Sequence, residues 1–124
     1  MDELEKLQGT WVFETLEMEG TRMPDAMFRG STLTIQGDHF ITAAQEAGYE
    51  GKVRVNAEAS PKTIDMEFTA GPEAGKTSFG IYEHEGDTLK ICLALTGFSR
   101  PQEFVSKPHT GHVLEILHRK APGS

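Results

Sequence analysis

The chain has 124 residues, the size of one domain with room for a buried core. With 37% hydrophobic and 25% charged residues and a mean hydropathy of -0.40, it reads as a soluble globular protein. Nineteen acidic against twelve basic residues give a net charge of -7, which argues against a nucleic-acid or anionic-membrane partner. No basic cluster with interleaved aromatics reverses that expectation. No apolar run approaches the roughly 20 residues of a membrane span. The single Cys92 excludes an internal disulfide and suits a reducing compartment. The acidic start Met1-Asp2-Glu3-Leu4-Glu5-Lys6 has no apolar h-region, so no signal peptide and a cytoplasmic location are expected; removal of a leader would make the protein secreted or periplasmic.

In chain order, Asp2 to Leu7 suits one short helical turn, with Leu4 and Leu7 on one side. Gly9 to Glu19 reads as a first strand, with Trp11 and Phe13 on one face and Val12 and Glu14 on the other. It holds the only Trp of the chain. A Gly two residues before that Trp is a barrel-closing device: the Gly lets the backbone bend, and the indole plugs one end of an enclosed core. Met23-Pro24-Asp25-Ala26-Met27-Phe28-Arg29-Gly30 is a second helical piece, with Pro near its start and Gly past its end, suited to a lid over a barrel mouth.

From Ser31 the pattern is β throughout. Thr32 to Ile35 and His39 to Thr42 flank Gln36-Gly37-Asp38, a hairpin signal. Gly51 to Asn56 and Lys62 to Thr69 alternate, the second placing Ile64, Met66 and Phe68 together. Thr77 to His84 and Asp87 to Leu95 meet at Glu85-Gly86-Asp87. A short run around Glu103-Phe104-Val105 and a terminal strand from Val113 to Lys120 follow, before a frayed tail, Ala121 to Ser124. About nine short strands at 8–12-residue spacing, with little helix, predict one all-β domain over residues 1–124. Sequential hairpins favour an up-and-down antiparallel β-barrel of about eight or nine strands, with short N-terminal and lid helices, because closure removes exposed edges.

The motifs that carry chemistry elsewhere have plain explanations here. Ala70-Gly71-Pro72-Glu73-Ala74-Gly75-Lys76-Thr77 approximates a phosphate-binding loop, but a strand rather than a helix follows it, and Pro72 and Glu73 spoil the cradle. His109 and His112 lie close together without the further ligands a structural metal needs, so no metal is expected. A single axial His could hold a haem inside a barrel, yet nothing selects His84 or His118 for that role, and no cofactor is expected. Asp65 and Glu67 alternate with apolar neighbours, as on the wet side of a half-buried strand. Cys92 either faces a lumen or serves as an inert small hydrophobe. Arg100 is placed to bind a carboxylate or phosphate at a barrel end, or to salt-bridge its neighbours. In a closed barrel the last strand lies beside the first, so the Arg119 guanidinium could stack on Trp11.

With Gly9-Thr10-Trp11 near the start and Arg119 near the end, the chain resembles a lipocalin-type (calycin) barrel. The resemblance extends to a small bacterial lipocalin-like domain family of unassigned function. It rests on Leu7-Gln8-Gly9-Thr10-Trp11, Leu33-Thr34-Ile35-x-Gly37-Asp38-x-Phe40, Ile64-Asp65 and Gly71-Pro72-Glu73-x-Gly75-Lys76-Thr77. It continues through Gly80-Ile81-Tyr82, Gly86-Asp87-Thr88-Leu89-Lys90-x-Cys92, Arg100-Pro101 and Lys107-Pro108. It implies barrel closure by Gly9, Trp11 and Arg119, and a fold rather than a reaction.

The function expected from the residues is binding of a small apolar or amphipathic molecule in the barrel lumen, without catalysis, by a monomer or weak homodimer. Large apolar groups at alternating positions motivate it: Met66, Phe68, Phe79 and Phe104, together with Ile81, Ile91 and Leu93. Tyr82, Cys92 and Arg100 supply the orienting polar minority, and Met23 and Met27 suit a lid. The alternatives are a filled structural or interaction module, and a small barrel enzyme using Arg100 with a lumenal His or Glu.

Overall fold

Alternation at period two, broken by Gly-centred turns, favours a meander of hairpins that curls until its first and last strands meet. The computed structural model describes residues 3–43 and 48–120. The elements are α1 (Glu3–Lys6), β1 (Gly9–Met18), β2 (Thr21–Arg22), α2 (Asp25–Phe28), β3 (Thr32–Gln36) and β4 (His39–Ala43). After them come β5 (Tyr49–Asn56), β6 (Lys62–Ala70), β7 (Thr77–Glu85), β8 (Thr88–Ala94) and β9 (His112–Arg119). Neighbouring strands are antiparallel, and β1 pairs with both β3 and β9, so β1 and β3 to β9 form a closed eight-stranded barrel. β2 is a two-residue flap paired to the end of β1. Among the described residues, no helix is long and apolar enough to cross a membrane.

The barrel strands fall close to where alternation puts them. The strand expected around Glu103-Phe104-Val105 does not form. β8 and β9 hydrogen-bond directly to each other from Thr88↔His118 to Ala94↔His112, leaving no free edge between them. Residues 95–111 instead cross the outer wall, where Phe104 packs on Ile81, Cys92 and Leu114. β2 has no counterpart in the sequence pattern, because two residues carry no periodic signal. The expected start of the first helical turn at Asp2 and the frayed tail at 121–124 lie outside the described residues.

One end of the barrel is plugged. Trp11 is fully buried and its indole N–H donates to the Leu7 carbonyl at 2.9 Å. The Arg119 guanidinium lies 4.2 Å from the Trp11 ring centre and donates to the carbonyls of Lys6 (2.9 Å) and Gln8. Gly9 adopts a φ of 116°, and a Cβ there would meet the Arg119 Nη1 atom at 3.2 Å, so the strand can enter this corner only without a side chain. Gln8 ties α1 to the β3–β4 turn through both polar atoms of its amide, bonding the Gly37 N–H (2.6 Å) and carbonyl (2.9 Å). Gly9, Trp11 and Arg119 thus meet where β1 pairs with β9. Above the plug, Leu33, Ile35, Val53, Ile64, Leu89, Ile91 and Leu117 fill the barrel.

Candidate functional site

The filling stops part-way along the axis. At the opposite end a cavity of about 590 Å³ opens between the ends of β1, β4, β6 and β8 and the starts of β3, β5, β7 and β9. Its walls are mostly apolar, with Phe13, Leu16, Leu33, Phe40, Met66 and Phe68 among them. Phe68 stands edge-on to both Phe40 (5.7 Å) and Tyr49 (5.6 Å), the mutual geometry that ring quadrupoles favour. α2 lies over the mouth as the sequence suggests, contributing buried Phe28 and exposed Met27. Met23 is not among the lining residues; its N–H is bonded to the Leu16 carbonyl at 2.7 Å.

Small inward residues help to open this space. On β7, Ser78 at the mouth and Gly80 precede Tyr82 on one face, so the strand offers little bulk near the mouth and a large ring towards the plug. A Cβ on Gly80 would approach the Cys92 carbonyl oxygen and Leu93 Cδ1 to 2.8 Å each.

Glu115 is the polar group that matters most, and motif reading passes over it. On β9 it shares parity with Val113 and Leu117, both buried, so it faces the lumen. Its cross-strand partners are Ile91 on β8 and Leu16 on β1. Leu16 faces inward because β1 carries a bulge between Phe13 and Thr15, which reverses the parity of the strand beyond it. Burial pushes the Glu115 carboxyl up to about 7, and among the described residues no cation offsets it. The side chain keeps some accessible surface because it borders the cavity. The signal that finds it was present: a charged residue in step with Val113 and Leu117 on an otherwise inward face.

Glu73, at the rim, differs. Its carboxylate accepts from Thr96 Oγ1 at 3.0 Å and pairs with Lys76 at 3.2 Å, and these two contacts, Lys76 first, hold it below the usual carboxylate range. The loop Gly71 to Lys76 is a turn between β6 and β7, as expected for the false phosphate loop.

The sequence-selected residues separate by face. Met66 and Phe68 line the cavity. Tyr82 points inward but at the plugged end, where burial and then the nearby Glu3 carboxylate raise its phenol well above the usual value. Among the described residues its buried hydroxyl has no well-formed hydrogen-bond partner. Phe79, Cys92, Arg100 and Phe104 are not lumenal, contrary to expectation. Ser78, Gly80 and Tyr82 turn inward on β7, which sends Phe79 and Ile81 outward; Leu89 and Ile91 turn inward on β8, which sends Cys92 outward. Arg100 lies on that outer wall, donating to the Gly80 carbonyl (2.8 Å), pairing with Asp65 (2.8 Å) and covering the Phe79 ring at 5.2 Å. Its structural alternative is the one realised. Cys92 donates its S–H to the Val105 carbonyl at 3.3 Å beneath residues 95–111, and burial lifts its thiol to about 11.

The histidines are engaged elsewhere. His84 stands edge-on to Trp11 with Nε2 against the Gly86 carbonyl, His118 meets Glu14 outside the barrel, and His112 bonds the Ser99 carbonyl. Among the described residues, no three His, Cys, Asp or Glu side chains gather in one place. A second recess, of about 920 Å³, is lined by Ser60, Lys62, Glu83, His84, Thr88 and Lys90 among others. Charged side chains of both signs line this recess, whereas the walls of the first cavity are mostly apolar. No family model, curated protein or solved structure matches the chain.

Proposed function

We propose that this barrel binds a small apolar or amphipathic molecule in its open half and performs no reaction on it. One observation carries the reading: side chains fill the lumen towards the Trp11 plug, while its other end opens into a cavity of about 590 Å³ walled by Phe, Leu and Met side chains. An interior evolved only for stability is close-packed throughout, because each void forfeits dispersion contacts. The lipocalin-like set Gly9, Trp11 and Arg119 supports the same reading, since the plug leaves a single open end. Binding is favoured over catalysis because acid–base or nucleophilic work needs paired groups within hydrogen-bond reach. Glu115 has no such partner among the described residues.

The test is native mass spectrometry of the protein purified from its own host, set against the denatured mass. A retained small-molecule adduct is expected, with its mass giving the ligand class. A clean mass, followed by no thermal shift with long-chain alcohols, amines, acids or aromatic compounds, would replace this reading with that of a structural module.

A further inference from the structure

Resting on that reading, the chemistry of the cavity narrows its occupant. The charged side chains that line it are Glu73 and Glu115, with no Lys, Arg or His among them. Glu73 is already paired with Lys76 and bonded to Thr96 at the rim. Glu115 sits deeper, between Leu16 and Ile91, with no hydrogen bond or ion pair to any described residue. The other titratable groups near it add no positive charge: the Tyr49 phenol across the cavity and the Cys92 thiol on the far side of β8.

A buried carboxyl without a partner is costly to keep and strongly attracts a complementary donor. We infer that the lumen takes an apolar molecule bearing one protonated amine, its chain along the Phe and Met wall and its ammonium against the Glu115 carboxylate. An ammonium supplies the counter-charge that the barrel withholds, in surroundings where charge-assisted hydrogen bonds are strong. A carboxylate-headed molecule such as a fatty acid meets the unpaired Glu115 carboxyl with no Lys, Arg or His in the cavity wall, the rim base Lys76 being already paired with Glu73. The chain charge of -7 adds a long-range field of the same sign, drawing cations and opposing anions.

Decylamine, decanol and decanoate share one chain and differ only in the head. Calorimetric titration of the full-length protein at pH 8, where Glu115 is mostly ionised and the amine protonated, separates them. Decylamine is expected to bind at least roughly tenfold more tightly than decanol, with decanoate weakest. In Glu115→Gln the decylamine advantage should fall to about threefold or less while decanol is retained. Decanoate binding as tightly as decylamine to the wild type, or Glu115→Gln preserving the amine preference, would overturn the inference. The wild-type ordering decides alone if the variant fails to fold. If decanol binds and the head makes no difference, only the amine assignment falls; if none of the three binds, the carrier reading falls with it.

Discussion

The guanidinium of Arg119, at the end of β9, lies 4.2 Å from the ring of Trp11, near the start of β1, and so joins the two ends of the chain. The same group donates to the Lys6 and Gln8 carbonyls and reaches Asp87 at 3.3 Å. Replacing it with Ala removes a cation–π contact and the donors to the exposed Lys6 and part-buried Gln8 carbonyls, at a cost of about 1–2 kcal/mol. Arg119→Lys keeps the charge but not the planar fork and should recover less than half of that, to order of magnitude. Urea unfolding followed by Trp11 fluorescence measures both, and equal stability of Arg119→Ala and wild type would refute the closure role.

Glu115 makes stability fall as pH rises. Its folded-state value of about 7 lies above the ordinary carboxylate value of 4.5, so the folded chain holds a proton that the unfolded chain releases first. The favourable contribution is complete below pH 4.5, declines between there and 7, and is gone above. The span is up to about 3 kcal/mol, reduced by whatever water the cavity admits. Glu115→Gln should remove this decline, becoming more stable than wild type at pH 8 while matching it at pH 4. Melting curves at the two pH values test it; parallel shifts of both proteins would show that the carboxyl is hydrated.

Arg100 is predicted to matter for stability and not for the ligand. Arg100→Ala loses the bond to the Gly80 carbonyl, the pair with Asp65 and the cover over Phe79. With a third of the side chain exposed, the loss is about 1–2 kcal/mol after solvent screening. Affinity for any lumenal molecule should stay within about twofold, because the guanidinium lies outside the wall. A large affinity loss with an unchanged melting temperature would return Arg100 to the binding site.

Leu16→Trp tests the cavity from within. Leu16 faces Glu115 across the β1–β9 pair and is only partly buried, so an indole there has the cavity to extend into. The variant should keep its melting temperature within a few degrees while decylamine and decanol binding weaken by roughly tenfold or more. Unimpaired binding would place the ligand elsewhere on the protein.

Period-two alternation and Gly-centred turns made the strands readable from the sequence, because both are local properties of the backbone. The pairing of Gly9-Thr10-Trp11 with a terminal Arg was readable too, since closure of a meander must bring first and last strands together. The faces of β7 and β8 were not. Ile81, Cys92 and Leu114 are apolar on the outer wall because residues 95–111 cover them, so both faces look buried and alternation loses its sign. Glu115 could have been found by parity with Val113 and Leu117, but only the bulge at Glu14, which turns Leu16 towards it, shows that β1 leaves space there. The sequence by itself determined a β-meander with a plugged end. The tertiary structure decided which side chains see the lumen, because inward and outward are properties of register and closure that no single strand contains.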